Sequence, residues 1–222
     1  MPATFTLAQL RTRVRFLGDF ENSRIISDAR LDEVINGNLR RVWDLLLDHR
    51  VTPYVKIQAG NPVTAPGTAT VALAADFYRL RQVLISVGGI LTPLHEINQA
   101  EAWKFQTGFQ PYGLRYTFRA NTLVLYPTPT AVYSLEIQYY PTMVPLALVS
   151  DTFDFVNGSD DLLIARCVLD LKMRESMPAQ EWEARVQQYT KETIDAVSDV
   201  NAGEPFLLSG GVDTYDGSWS MY

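Results

Sequence analysis

Residues 159–174 read SDDLLIARCVLDLKMR. Ser159 has the chemistry of a helix N-cap, and Asp160 and Asp161 follow where the helix dipole favours negative charge. Leu162, Leu163, Ile164, Ala165, Val168, Leu169, Leu171 and Met173 then cover most of the circumference. A helix with one apolar stripe lies at a surface, whereas one apolar nearly all round lies in the middle of a packed layer. This stretch therefore predicts a central helix, and the chain must supply others to surround it.

One such helix follows directly. Pro178 stands where a first-turn proline belongs, and Trp182, Val186, Tyr189, Ile194, Val197 and Val200 form its expected stripe, with Asn201 and Gly203 at its end. Two more come from the other end of the chain. In TLAQLRTRVRFLG (6–18), Leu7, Leu10, Val14 and Leu17 share a face and Gly18 is the expected stop. Ser27 is a good N-cap, with Ile26 before it placed to pack on Leu31. Leu31, Val34, Ile35, Leu39, Val42, Trp43 and Leu46 then keep helical spacing. Gly37 weakens that helix by roughly 1 kcal/mol relative to Ala, which tertiary packing must offset.

Between these helices the period changes to two. YVKIQA (54–59), TATVAL (68–73), RLRQVLIS (79–86), LRYTFRA (114–120), TLVLY (122–126) and VYSLEIQYY (132–140) read as strands. In the last, Tyr133, Leu135, Ile137 and Tyr139 face one way and Ser134, Glu136 and Gln138 the other. Proline and glycine mark turns at NPVTAPGT (61–68) and YPTPTA (126–131), and EINQAEAWKF (96–105) reads as a short helix. The expected fold class is α+β. A helical bundle is built from residues 1–50 and 146–202, a small antiparallel β-sandwich or barrel is inserted at 51–145, and an extended C-terminal arm occupies 203–222. The two ends of the insert, near Thr52 and Pro141, are expected to be neighbours in space.

Composition narrows the function. The 222 residues are 47% hydrophobic and 20% charged, with no apolar run long enough to span a membrane. The start MPATFTLAQLRTRV lacks a signal-peptide hydrophobic stretch, so the chain is expected to stay in the cytosol where it is made. The net charge is −6. Residues 146–200 carry 11 acidic and 5 basic side chains, while residues 51–145 carry 4 and 6. No segment is basic enough for tight binding of DNA phosphates.

Catalytic chemistry finds no footing. His49 and His95 have no His or Cys at ligand spacing, and His49 ends a helix, where a cation suits the dipole. Cys167 is alone, which excludes a disulfide framework, and lies in the most apolar helix, where a buried inert thiol is expected. There is no G-x-S-x-G elbow and no phosphate-binding glycine loop. Glu181 and Glu183 read as solvated helix charges. No enzyme activity, metal or cofactor is expected. Arg11, Arg13, Arg15, Arg24, Arg40 and Arg41 have two readings, as surface pairs with neighbouring acids or as phosphate contacts.

Three phrases carry a resemblance. ISDARLDEVINGNLRRVWDLL (26–46), VALAADFYRLRQVLI (71–85) with its Asp-Phe, and LRYTFRANTLVLYPTPTAVYSLEIQYYPTMVPL (114–146) with its Asn-x-Leu, Pro-x-Pro and Tyr-Tyr are similar to head-to-tail adaptor (connector) proteins of tailed bacteriophages, of the short-tailed type. The helix pair from Ser159 to Val200 completes the layout. Ala74-Ala75 departs from it, standing where a proline is expected before the Asp-Phe. The resemblance implies a homo-oligomeric ring, a dodecamer, bound to the portal protein at the capsid vertex, with a tail nozzle or tail tube protein beyond it. Genomic DNA passes through the lumen without sequence-specific binding. It implies location in the virion, assembly in the bacterial host cytoplasm, no membrane and no cofactor. Alternatives are a tail-tube or tail-completion protein, or a carbohydrate-binding or cell-wall-hydrolysing tail component with Tyr112, Tyr116 and Tyr126 as an aromatic platform.

The last 20 residues fit the adaptor reading. Phe206, Leu207, Leu208, Tyr215, Trp219 and Tyr222 are expected to be the portal-docking anchors, with Gly203, Gly210, Gly211 and Gly217 as hinges between them. Ordering such a segment costs about 1–2 kcal/mol per residue in backbone entropy, and burying each large apolar side chain returns roughly 1.5–3 kcal/mol. The arm is therefore expected to order on a partner that adds backbone hydrogen bonds. The channel wall is expected to be net acidic or mixed, formed in part by the last two helices.

Overall fold

The computed structural model describes residues 3–21, 26–49, 51–60, 62–106, 113–155 and 159–201, without the side chains of 199–201. The central helix, α3 (Ser159–Arg174), packs against α1 (Leu7–Gly18), α2 (Asp28–Asp48) and α4 (Gln180–Asn201). It buries Leu162, Leu163, Ile164, Ala165, Cys167, Val168 and Leu171, while Met173 is exposed. One apolar cluster runs through all four helices.

Local chemistry sets most helix ends. The Thr6 hydroxyl accepts from the Gln9 backbone N–H, and the Gln9 side chain accepts from the Thr6 N–H, a complete capping box. At the other end of α1 the expected stop is displaced by one residue. Asp19 takes the left-handed conformation (φ 62°), and the Phe20 N–H bonds the Arg15 carbonyl at 2.8 Å. Phe20 then folds back so closely that a Cβ on Gly18 would lie 2.3 Å from its ring. Gly18 is needed for that approach, and Phe20 fills the place expected of Leu17, which is exposed.

In α2 the Ser27 hydroxyl accepts from the Arg30 N–H, and Ile26 and Leu31 are both buried. Helix α4 starts at Gln180, so Pro178 precedes its first turn, and the Ala179 carbonyl accepts from Trp182 and Glu183. Its inner stripe is Trp182, Val186, Tyr189, Thr193 and Val197. Thr193 is buried where Ile194 was expected, because the 189–193–197 spacing continues the face and Ile194 is a further 100° round.

Gly37 lies on an exposed side of α2, and an added Cβ would meet nothing within 4 Å. Gly37→Ala should therefore stabilise the chain by about 0.5–1 kcal/mol, read as a rise of a few degrees in melting temperature. A fall would mean that the backbone there is not ordinary helix.

Two strands lie among the helices, where none was expected. β1 (Ala3–Thr6) pairs antiparallel with β10 (Thr152–Phe155), setting Phe5 and Phe153 against the helical core and burying Phe155 in it. The β region holds β2 (Lys56–Ile57), β3 (Thr70–Ala72), β4 (Phe77–Val87), β5 (Ile90–Pro93), β6 (His95–Glu96), β7 (Arg115–Arg119), β8 (Thr122–Tyr126) and β9 (Ser134–Pro141). They form two four-stranded sheets, ordered β2-β9-β4-β5 and β3-β8-β7-β6. All pairs are antiparallel except β6 with β7, which is parallel and departs from the expected pattern. Val83, Ile85, Leu135 and Ile137 from one sheet and Val71, Tyr116, Leu123 and Leu125 from the other share a single core. Residues 99–105 form a short three-ten helix capped by Asn98.

The chain enters and leaves this region side by side, since Lys56 lies opposite Tyr139. At that point the alternation of β9 breaks, and Tyr139 and Tyr140 are both buried. Tyr139 stacks on Phe77 with ring centroids 5.7 Å apart, while Tyr140 joins Trp43 and Leu47 of α2. The Tyr-Tyr pair thus holds the sheet to the helices.

Candidate functional site

The anchors Phe206, Leu207, Leu208, Tyr215, Trp219 and Tyr222 and the hinges Gly203, Gly210, Gly211 and Gly217 lie outside the described residues. What the structure supplies is their starting point. α4 runs back along α3, so that Val197 reaches the cluster holding Leu162, and Glu192 comes near Asp161.

Arg11, Arg13, Arg15 and Arg41 each pair with a carboxylate of the same chain. Arg11 donates to Asp32 at 2.5 and 2.6 Å, and Arg15 donates to Asp28 at 2.8 Å and to the Ile26 carbonyl at 2.9 Å. Arg13 pairs with Asp160 at 3.3 Å and covers the Phe5 ring, and Arg41 pairs with Asp170 at 3.5 Å. This is the surface-pair reading, and it ties α1 to α2 and α3. Arg24 lies outside the described residues.

Of the two acids that open α3, Asp160 is held by Arg13. The Asp161 carboxyl is pushed above its ordinary value, first by burial and then by Asp160. Cys167 is fully buried, and that burial pushes its thiol far up, out of reach of nucleophilic chemistry. Among the described residues no group of three or more His, Cys, Asp or Glu side chains could hold a metal ion. Tyr116 is 6% exposed in the β core, so it belongs to no surface platform. No helix of the described residues is long and apolar enough to cross a membrane.

The most elaborate polar arrangement lies where the sheet meets α2. Asp76 accepts from the Tyr139 hydroxyl at 2.7 Å and from Lys56 at 3.0 Å, and its carbonyl accepts from Thr142. The bonds from Tyr139 and Lys56 hold its carboxyl below the usual range, with Tyr139 contributing most. Beside it, the Tyr78 hydroxyl donates to Asp44 at 2.7 Å and Arg79 donates to Asp48 at 2.6 Å, over a cleft of about 430 Å³ that Leu47 also lines. The two carboxylates lining the cleft, Asp44 and Asp48, are taken by Tyr78 and Arg79, and exposed pairs of this kind contribute little stability. They link β4 to α2. The sequence signal for this junction was the Asp-Phe phrase, where Asp76 bonds Tyr139 of β9 and Lys56 of β2 and Phe77 packs on Tyr139 and Phe118.

Two buried phenols in the β region give a measurable pH response. Burial pushes Tyr116 and Tyr139 up to about 12, Tyr139 with help from Asp76. Unfolded tyrosines ionise near 10, so the native state resists a deprotonation that the unfolded chain accepts. Stability from these groups should be intact below about pH 10 and decline toward pH 12. Urea midpoints at rising pH should show this loss, and Tyr116→Phe should flatten it. An unchanged slope in that variant would refute the assignment.

No curated protein matches this sequence. A family model described as SU10 adaptor protein matches residues 5–205. The match spans both helical ends, the β region between them and the junction around Asp76 and Tyr139, and it stops just before the first proposed anchor. The chain therefore belongs to the SU10 adaptor protein family, the phage head-to-tail adaptors of the short-tailed type.

Proposed function

We propose that this chain is one copy of a ring that binds the portal through residues 203–222, joins the capsid to the tail and lets DNA pass through its centre. The family match over residues 5–205 carries this reading. In it, residues 1–50 and 146–202 are the helical body, 51–145 a β-sandwich domain and 203–222 the arm. The role is structural, with no cofactor, and the ring has twelve copies. The bore is net acidic or mixed, since a basic wall would hold DNA phosphates. Glu183, on the exposed side of α4, is a candidate for that wall.

Docking of the arm provides a way for assembly to wait for its partner. The purified chain should be monomeric at micromolar concentration and form a ring when the portal is added. Light scattering checks the first point, and cryo-EM of the mixture counts the copies. A stable large ring without portal would overturn the coupled assembly, and no complex with portal would overturn the adaptor reading itself.

A further inference from the structure

α2 and α4 both pack on α3 but make no extensive contact with each other. Between them α3 presents half-buried Arg166, partly buried Leu169 and exposed Met173, whose spacing of three and four residues puts them on one face. The Arg166 Nε is buried and finds no acceptor among the described residues. Burial lowers the pKa of this guanidinium, and the nearby Arg41 lowers it further. Asp170 already accepts from Asn38 at 2.9 Å and from Arg41 at 3.5 Å. Asp170 thus pairs with Arg41 and lies near Arg166, whose Nε is left without an acceptor among the described residues.

Gly37 gives a second, independent observation. It lies one turn before Arg41 on the same side of α2, exposed, with open space where a side chain would stand. Nothing inside the chain uses the missing side chain, although glycine weakens the helix. A bare backbone on an outer face admits close approach from outside.

A complementary surface exists elsewhere on the same chain. Glu192 and Asp195 are exposed at the other edge of the α3–α4 pair, beside Asp161, whose carboxyl is partly sheltered at the surface and is raised further by Glu192. Asp161 and Arg166 are five residues apart, which places them about 140° apart around α3. Glu183, nine residues before Glu192, is on the opposite side of α4 and stays clear of this edge.

We propose that the Gly37–Arg41–Arg166 face seats the Asp161–Glu192–Asp195 edge of a second copy of this chain. Two different surfaces meet, so the contact is head-to-tail and can repeat around a ring, whereas a self-complementary patch would stop at a dimer. At a net charge of −6, copies repel unless acids of one meet cations of the next. The proposal rests on the reading of the chain as one copy of a ring.

Sedimentation of the full chain from micromolar to millimolar concentration, at low salt, tests it. The parent chain should self-associate at the upper end. Arg41→Gln with Arg166→Gln should weaken this about tenfold or more, as should Glu192→Gln with Asp195→Asn. An equimolar mixture of the two double variants should form a dimer and stop there, because each retains one intact face. Gly37→Gln should melt no lower than the parent yet lose self-association, which separates the interface from stability. A parent chain that stays monomeric at millimolar concentration, association indifferent to these changes, or a mixture that stays monomeric would overturn the proposal. A ring on the portal that ignores every variant would overturn this interface and leave the adaptor reading standing. Failure of the parent chain to bind portal would overturn that reading instead.

Discussion

Deleting residues 203–222 should leave a chain with unchanged helix content and melting temperature that no longer binds the portal. Among the described residues the helical core already draws on every helix. Its cluster runs from Leu7 through Leu171 to Trp182 and Val197, drawing on all four helices, the β1–β10 ribbon and the segment at Leu146. The arm carries six large apolar or aromatic anchors and only negative charges, Glu204, Asp213 and Asp216. Binding energy concentrates in a few buried aromatic anchors, so losing all of them together should abolish docking. The competing arrangement has the arm folded over its own bundle. Truncation would then remove a few kcal/mol of burial and lower the melting temperature by roughly 2–4 °C for each. Circular dichroism melts and portal pull-down on the truncated chain separate the two. A markedly less stable protein, or one that still docks, would refute the assignment.

Trp43→Ala should be among the most destabilising single substitutions. Trp43 is 5% exposed, with ring centroids 4.7 Å from Tyr54 and 5.9 Å from Phe153. With Leu47 and Tyr140 it forms the cluster that joins α2 to the start of the β region, the end of β9 and the ribbon strand β10. Truncating a buried tryptophan costs about 3–5 kcal/mol through lost burial and the cavity left behind. In a chain of this size the melting temperature should fall by about 10 °C. Trp43→Phe should cost much less, because the indole Nε1 finds no acceptor among the described residues and no hydrogen bond is lost with it. Thermal melts of both variants check this. An alanine variant within about 2 °C of the parent would show that the junction contributes little.

Much of this architecture can be read from local pattern. A helix repeats every 3.6 residues and a strand every two, so a run such as 159–174 or 132–140 declares its type without reference to anything distant. That made the central α3, the stripe of α2 and the alternation of β9 legible, along with helices at both ends of the chain and strands between them. The family phrases were legible for a related reason. The Asp-Phe and Tyr-Tyr pairs are short phrases that can be recognised without knowing their partners. The arm could be read only by composition, and it lies outside the described residues.

Local pattern fails where the deciding neighbour is far along the chain. β1 and β10 are four residues each, too short for a period, and exist because residues about 150 positions apart pair edge to edge. Leu17 and Ile194 looked as suited to the interior as Phe20 and Thr193, and the packing of α1, α3 and α4 chose between them. Cation position told nothing of Arg11, Arg13 and Arg41, since their carboxylates sit on other helices. Tyr139 and Tyr140 are the clearest case. Adjacent and chemically identical, they are sent to opposite sides by strand geometry. Only the assembled fold decides that one meets Phe77 in the sheet and the other Trp43 on the helix, because side-chain partners are set by burial among sequence-distant surfaces, while element type is set by the backbone itself.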